Sequence, residues 1–321
     1  VELPAPHGFG RVVRDKNGDV RAIVEEAVAT PTQRAIRELN ASVYCFNADW
    51  LWPALRRIQV SPKGEYYLTD IIEIAVRDGL AVQAYQTPDA TEAVGINTRV
   101  HLAEASAILR QRINEAWMLA GVSIIDPAST YIETDVHIGQ DTVIWPNTHL
   151  KGQTVIGAEC VIGPNTTIDA CAVGQRCTLL ESVLEKSVVE DDVQMGPYAH
   201  LRPNVRVGKG SHIGNFGELK NSTLGEHVKM GHFSYVGDAQ IGDAVNISAG
   251  VITCNYDGCN KNKTVVERNA FIGSDTMLVA PVTVGQGAIT AAGSVVTRDV
   301  APFTLVMGVP ARPFRSLEKL D

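Results

Sequence analysis

Aliphatic residues recur every six positions in this chain, from about Ile132 almost to Val300. They fall at Ile138, Ile144, Leu150, Ile156, Ile162 and Ile168, then at Met195, Leu201, Val207, Ile213 and Leu219, and again at Val266, Ile272, Leu278 and Val284. Gly often follows, as in Ile138-Gly139, Ile156-Gly157, Ile213-Gly214 and Ile272-Gly273. A period of six fits neither the 3.6 of a helix nor the 2 of a lone strand. It fits a parallel β-helix, in which each hexad is one short flat face and a turn, and stacked coils ladder their aliphatics inside. Three separate in-phase runs predict roughly ten coils.

Composition agrees with that fold. Aromatic residues make up 6% of the chain, against 45% hydrophobic residues overall, and a narrow prism takes Val, Ile, Leu and Ala more readily than rings. A net charge of −8 argues against a general nucleic-acid or membrane-surface binder, so an anionic ligand would need a local cluster of Lys and Arg. The six cysteines, Cys45, Cys160, Cys171, Cys177, Cys254 and Cys259, form no C-x-x-C pair and no framework spacing, which predicts reduced thiols in a cytoplasmic protein. No apolar run approaches transmembrane length.

Residues 1–97 lack the beat. Alternation around Asn17-Gly18 predicts a β-hairpin, Ser42-Val43-Tyr44-Cys45-Phe46 a further strand, and Ile71 to Arg77 a helix, an α/β mixture. Residues 98–121 predict one connecting helix ended by Gly121. Coils are expected over 122–321, with a tail. The beat slips between Ile168 and Val173 and between Leu219 and Leu224, and it breaks at Thr253 to Lys261, which must bulge out as a loop. Irregular turns of a solenoid are where function tends to sit.

The position after a ladder residue is usually small, but Arg202 follows Leu201 and Lys220 follows Leu219. Eighteen residues apart, they stack one coil above the other. Two cations about 5 Å apart repel unless an anion lies beside them, and a phosphate suits an Arg fork with a Lys point charge. The alternative is two solvated cations, as for Lys151. About one coil further lies His232, near Tyr235 and ahead of the polar loop with Asn255, Tyr256 and Lys261. A neutral imidazole there suits a general base, with Glu218 to orient a partner or help carry the proton. His227 and His232 also have a spacing used for zinc in γ-class carbonic anhydrases, but Asp191, His200 and His212 supply no stacking third nitrogen. A non-catalytic hexapeptide scaffold is the other alternative. Met307-Gly308-Val309-Pro310-Ala311-Arg312 resembles the ending of hexapeptide acyltransferases, in which the acyl-CoA arm lies between prisms. Small residues such as Ala249, Gly250, Ser274, Ala291, Ala292 and Gly293 would admit it, although tight corners need small residues in any case.

Leu201-Arg202-Pro203, Gly214-Asn215-Phe216, Glu218-Leu219-Lys220, Gly231-His232, Gly237-Asp238-Ala239 and Ile252-Thr253-Cys254-Asn255-Tyr256-Asp257-Gly258 follow one another as in one family. The chain resembles the bacterial bifunctional N-acetylglucosamine-1-phosphate uridyltransferase/glucosamine-1-phosphate acetyltransferases. The resemblance implies a left-handed parallel β-helix preceded by a partial α/β, Rossmann-like nucleotidyltransferase domain. It implies a cytoplasmic homotrimer that acetylates glucosamine 1-phosphate from acetyl-CoA, on the route to UDP-N-acetylglucosamine for peptidoglycan and lipopolysaccharide. His232 then matches the general base, Arg202 and Lys220 the phosphate clamp, and Tyr235, Asn246 and Lys261 further sugar-phosphate contacts. Asn255 and Tyr256 match loop residues near the reacting amine and acetyl group, and Ala249, Ser274 and Ala292 the acetyl-CoA site. Gly308 departs from members that carry Arg there, and Arg312 is expected to supply that charge.

By the same resemblance Gly10, Glu25, Asn40 and Asn97 contact UDP-N-acetylglucosamine, and Asn97 helps hold Mg²⁺. The family's glycine-rich loop, catalytic Lys and second metal ligand would precede Val1. The expectation is therefore acetyl transfer without uridylyl transfer by the chain as given.

Overall fold

The computed structural model describes residues 1–2 and 8–317. They form two compact units, Val1–Ile108 and the chain from Leu109 onward.

In the first unit the predicted hairpin is present as β1 (Arg11–Arg14) paired antiparallel with β2 (Val20–Val24). The helices α1 (Pro31–Arg34), α2 (Ala48–Leu55) and α3 (Asp70–Arg77) follow, and α4 (Arg99–Leu119) begins in this unit and ends in the second. A capping box of Thr30 and Gln33 starts α1, and Asn47 caps α2 by accepting from Trp50 N. Between α2 and α3, Asp78 accepts from Trp50 Nε1 at 2.9 Å and from both Arg57 terminal nitrogens at 2.7 and 2.8 Å. Those bonds, Arg57 first, lower the Asp78 carboxyl to about 2. The strand expected over 42–46 does not form. Its β-branched and aromatic residues find no ladder partner, and strand propensity does not make a strand without one. Tyr44 and Phe46 stack at 5.6 Å and pack beside the Val12, Val20, Ile23, Ile71 and Ile74 core instead.

In the second unit the hexads form three parallel sheets. The first runs from Ser123–Ile124 to the terminal strands, the second from Tyr131–Ile132 to Val295–Val296, and the third from His137–Ile138 to Val282–Val284. Successive strands visit the sheets in turn, so each coil contributes one strand to each face. Leu150, Ile168, Leu184, Leu201, Leu219 and Val236 form one inward ladder, in register and at most 1% exposed. Their neighbours Thr167, Val183, His200, Glu218 and Tyr235 point outward, as the two-residue period of a strand requires. The slips at Ile168–Val173 and Leu219–Leu224 fall at corners, where Ala170 and Asn221 take left-handed φ of 51° and 48°.

The part of α4 from Leu109 on, which belongs to this unit, closes one end of the prism. Ile113 and Trp117 pack on its core, and buried Asn114 donates to Pro127 O at 2.9 Å and Thr130 O at 3.1 Å. Gly121, at φ 94°, ends the helix as expected. At the other end Thr304–Gly308 and Ala311–Ser316 form an antiparallel hairpin that continues the first sheet. All six cysteines are free. Among the described residues no helix is long and apolar enough to cross a membrane.

Candidate active site

The prism gathers the candidate residues at two corners that flank the second sheet. The corner from the first to the second sheet carries Asn215-Phe216, His232-Phe233, Ala249-Gly250, Ser274-Asp275 and Ala292-Gly293 in successive coils. Backbone bonds stack them: Gly214 N on Met230 O (2.7 Å), Gly250 N on Phe233 O (2.7 Å), Asp275 N on Ala249 O (2.7 Å) and Gly293 N on Ser274 O (2.8 Å). Exposed His232 thus stands at the foot of a column of small residues, Ala249, Ser274 and Ala292. Ala291 N donates to Val306 O at 2.9 Å, so the terminal hairpin bearing Arg312 and Gly308 adjoins the top of that column. Met307 lies opposite Arg312 in that hairpin.

The corner from the second to the third sheet carries the cations. Leu201 pairs with Leu219, so Arg202 and Lys220 fall one above the other, as the spacing predicts. Lys261 reaches the same place from the loop. That loop is braced from within: Tyr256 bridges Lys261, Asn262 N donates to Asn255 O at 2.7 Å, and Asp257 accepts from Cys259 N at 2.8 Å and Asn260 N at 2.6 Å. The Asn260 and Cys259 amides hold the Asp257 carboxyl below its ordinary range. Contact with Lys261, then its charge and that of Arg202, pull the Lys220 ammonium below the usual lysine range, and Asp238 opposes the shift. Like charges gathered in this way repel one another, and the Glu218 and Asp238 carboxylates beside them offset part of that repulsion.

Other polar groups close the arrangement. Arg202 donates to Glu218 at 3.1 Å, so Glu218, expected to orient a partner or help carry the proton, braces the clamp. Tyr235 lies over Gly237, where an ideal Cβ would fall 2.7 Å from the phenol Cζ and 2.9 Å from Asn255 Nδ2. A side chain at this position would displace one or both of them from where they stand. Thr253 interrupts the aliphatic ladder here, accepting from Gly237 N at 2.8 Å and donating to Gly237 O at 3.1 Å. Asp238 accepts from Asn221 Nδ2 at 2.6 Å and from Asn255 Nδ2. A cavity of about 560 Å³ opens beneath the loop, lined in part by Asn221, Asp238, Lys261 and Lys263.

The two corners are separated by the strand Ser234–Gly237, roughly 13 Å for four residues at about 3.3 Å each. Asn246 lies elsewhere, on the outer face of the first sheet, between Lys229 and Phe271, and donates to Ser248 Oγ at 3.2 Å. Tyr256 is exposed, its hydroxyl donating to Gly258 O. Sequence reasoning missed Asp238, Asn221 and the need for Gly237. The signal for them was the position one coil beyond Lys220-Asn221.

In the first unit Asn40 N donates to Gly10 O at 2.9 Å, while Glu25 accepts from Thr69 at 2.9 Å. Asn40 borders a largely apolar cavity of about 820 Å³ shared with Val12, Ile23, Tyr44 and Phe46. Asn97 is exposed, its backbone donating to His101 Nδ1 at 3.3 Å. Among the described residues no three His, Cys, Asp or Glu side chains gather to hold an ion. One exposed amide does not supply the carboxylates that usually bind Mg²⁺, so the residues present do not fit that metal.

The repeat signature described as bacterial transferase hexapeptide (six repeats) matches residues 135–170 and 263–298. The coils and the two corner columns define a hexapeptide-repeat protein of the bacterial transferase class, with a left-handed β-helix. The chain is 47% identical to the bifunctional protein GlmU of Shouchella clausii over 94% of its own length and 66% of the relative's. It is 49% identical to that of a Geobacillus strain (92% and 64%) and 48% identical to that of Brevibacillus brevis (99% and 68%). The chain belongs to the bifunctional GlmU family, and it spans about two thirds of the length of the curated relatives it matches. Among solved structures it is similar to a UDP-N-acetylglucosamine acyltransferase of Francisella novicida, at 16% identity and a TM-score of 0.44, over 60% of this chain and 70% of that one.

Proposed function

We propose that the second unit transfers the acetyl group of acetyl-CoA to the amine of glucosamine 1-phosphate, and that the longer family protein couples this to uridylyl transfer. The observation that carries the reading is the gathering of Arg202, Lys220 and Lys261 at one edge of the second sheet, with His232 at the opposite edge. Glucosamine 1-phosphate carries its phosphate and amine on adjacent ring carbons, too close together to bridge the two edges of one prism. Its phosphate would rest on the three cations of one copy, with its amine toward His232 of a second copy. His232 takes a proton as the amine nitrogen attacks the thioester carbon; the C–S bond breaks and the thiolate leaves as CoA after protonation. Holding both reactants in place supplies much of the rate, and the base supplies a further share. Asn255 and Tyr256 stand near the amine and the acetyl group. Ala249, Ser274 and Ala292 form a groove floor for the thiol arm, and Arg312 meets a CoA phosphate. Gly10, Glu25, Asn40 and Asn97 belong to the nucleotide-sugar side of the longer protein, and no step is assigned to a metal here.

Asn246 and Tyr235 occupy different faces of one prism, so a single sugar meets both only if two copies supply them. Sites between prisms agree with the homotrimer that the family resemblance implies, and light scattering should find activity in a species of three chains. An active single chain would refute the assembly. The test of the function itself is thiol release from acetyl-CoA in the presence of glucosamine 1-phosphate. Release that depends on the sugar phosphate supports the reading, and none at all refutes it.

A further inference from the structure

Asp238 is explained neither by the aliphatic ladder nor by the cation cluster. It follows Gly237 at the corner from the second to the third sheet, with a left-handed φ of 50°. Its backbone is fixed on both sides, N donating to Lys220 O at 3.0 Å and O accepting from Thr264 N at 3.2 Å. Both carboxylate oxygens are engaged, Oδ1 by Asn221 Nδ2 at 2.6 Å and Oδ2 by Asn255 Nδ2.

By charge alone Asp238 is misplaced. It stands beside Lys220, where a negative charge cancels part of the field that would hold a phosphate. Its value must lie elsewhere, and the bond to Asn255 shows where. A carboxylate only accepts, so the amide nitrogen of Asn255 must face Asp238 and the amide oxygen must face away. Asn255 is 8% exposed, and among the described residues its Oδ1 makes no hydrogen bond. Among the described residues the buried side-chain polar atoms without a partner are Asn114 Oδ1 and Thr264 Oγ1, so Asn255 Oδ1 is not sealed off and a ligand's N–H can reach it.

We propose that Asp238 is a positioning residue for acetyl transfer, fixing Asn255 so that its amide oxygen accepts an N–H of the substrate amine and aims the nitrogen lone pair at the thioester carbon. This rests on the acetyl-transfer reading above. Asp238 touches neither substrate; it acts through Asn255, and Asn221 braces it from the other side.

Charge and positioning predict opposite effects for Asp238→Asn in the full chain. Asn has the same shape and tolerates a left-handed φ, so the fold is kept. Positioning predicts that kcat falls about 10- to 100-fold, through loss of near-attack geometry. KM for glucosamine 1-phosphate stays the same or falls, because a negative charge has left the cluster, and KM for acetyl-CoA is unchanged. In an Asn255→Ala background the same substitution should cost nothing further. Asn221→Ala, which leaves the Asp238–Asn255 bond in place, should lower kcat by a few-fold, again only when Asn255 is present. The proposal is overturned if kcat of Asp238→Asn equals that of the parent, or if the loss persists undiminished without Asn255. A wild-type chain that releases no thiol with glucosamine 1-phosphate would overturn the underlying reading and this inference with it. An active wild type with an equally active Asp238→Asn variant would overturn only this inference.

Discussion

Replacing Gly237 by alanine tests the site's packing without touching a charge. The backbone there is not left-handed, so the substitution brings no φ strain, and its whole effect comes from one methyl group. That methyl would lie 2.7 Å from Tyr235 Cζ and 2.9 Å from Asn255 Nδ2, closer than carbon atoms approach at van der Waals contact. Overpacking a site that cannot yield costs about 1–3 kcal/mol. Here the phenol end of Tyr235 can swing, whereas Asn255 is tethered to Asp238, so the stability loss should lie near the lower figure, about 1 kcal/mol. Catalysis should suffer more, because both displaced groups belong to the proposed sugar site. A loss of about 10- to 100-fold in kcat/KM, or roughly 1.4–2.7 kcal/mol, is expected, read by thiol release at varied glucosamine 1-phosphate. In a Tyr235→Ala background much of that loss should vanish, because the methyl then has room on one side. Unchanged kcat/KM in Gly237→Ala would refute the claim that Tyr235 and Asn255 work from the positions seen here.

Two further outcomes follow from the charges. Arg202→Ala removes one charge-assisted phosphate contact, worth about 1.5–3 kcal/mol; its side chain is 40% exposed, which favours the smaller value. KM for glucosamine 1-phosphate should therefore rise roughly tenfold while KM for acetyl-CoA stays put, and equal rises in both would remove Arg202 from the phosphate site. The lowered Asp257 carboxyl means that its bonds to the loop amides are fully present above the ordinary carboxylate range and are lost as pH falls through the lowered value. Hydrogen exchange at Cys259 and Asn260 should show protection at pH 5 that fails in stronger acid, and Asp257→Asn should show the weaker protection already at pH 5.

The fold was legible because burial imposes a strict period. Ile138, Ile144 and Leu150 each face a narrow interior, and no other architecture needs an aliphatic every sixth residue. Arg202 and Lys220 were legible because they break that rule at stacked positions. The pairing of Arg202 with Glu218 was not, since which outward side chains meet depends on rotamers that spacing does not fix. Lys261 required the loop's path, set by Asp257 holding the Cys259 and Asn260 amides. Asp238 was not singled out, because Asp commonly takes a left-handed corner, and only the position of Asn255 distinguishes it. The segment 42–46 misled because its β-forming side chains pack on a core while its backbone has no ladder to join.

On this reading the imidazole of His232 takes the proton from the amine while the cations of a second copy hold the phosphate. The most direct measurement is kcat for acetyl transfer by His232→Ala, with folding and assembly checked by circular dichroism and light scattering and with both substrates saturating. The expected result is a fall of about 10²- to 10⁴-fold with little change in either KM. A folded, assembled His232→Ala protein that keeps near-normal kcat would contradict it.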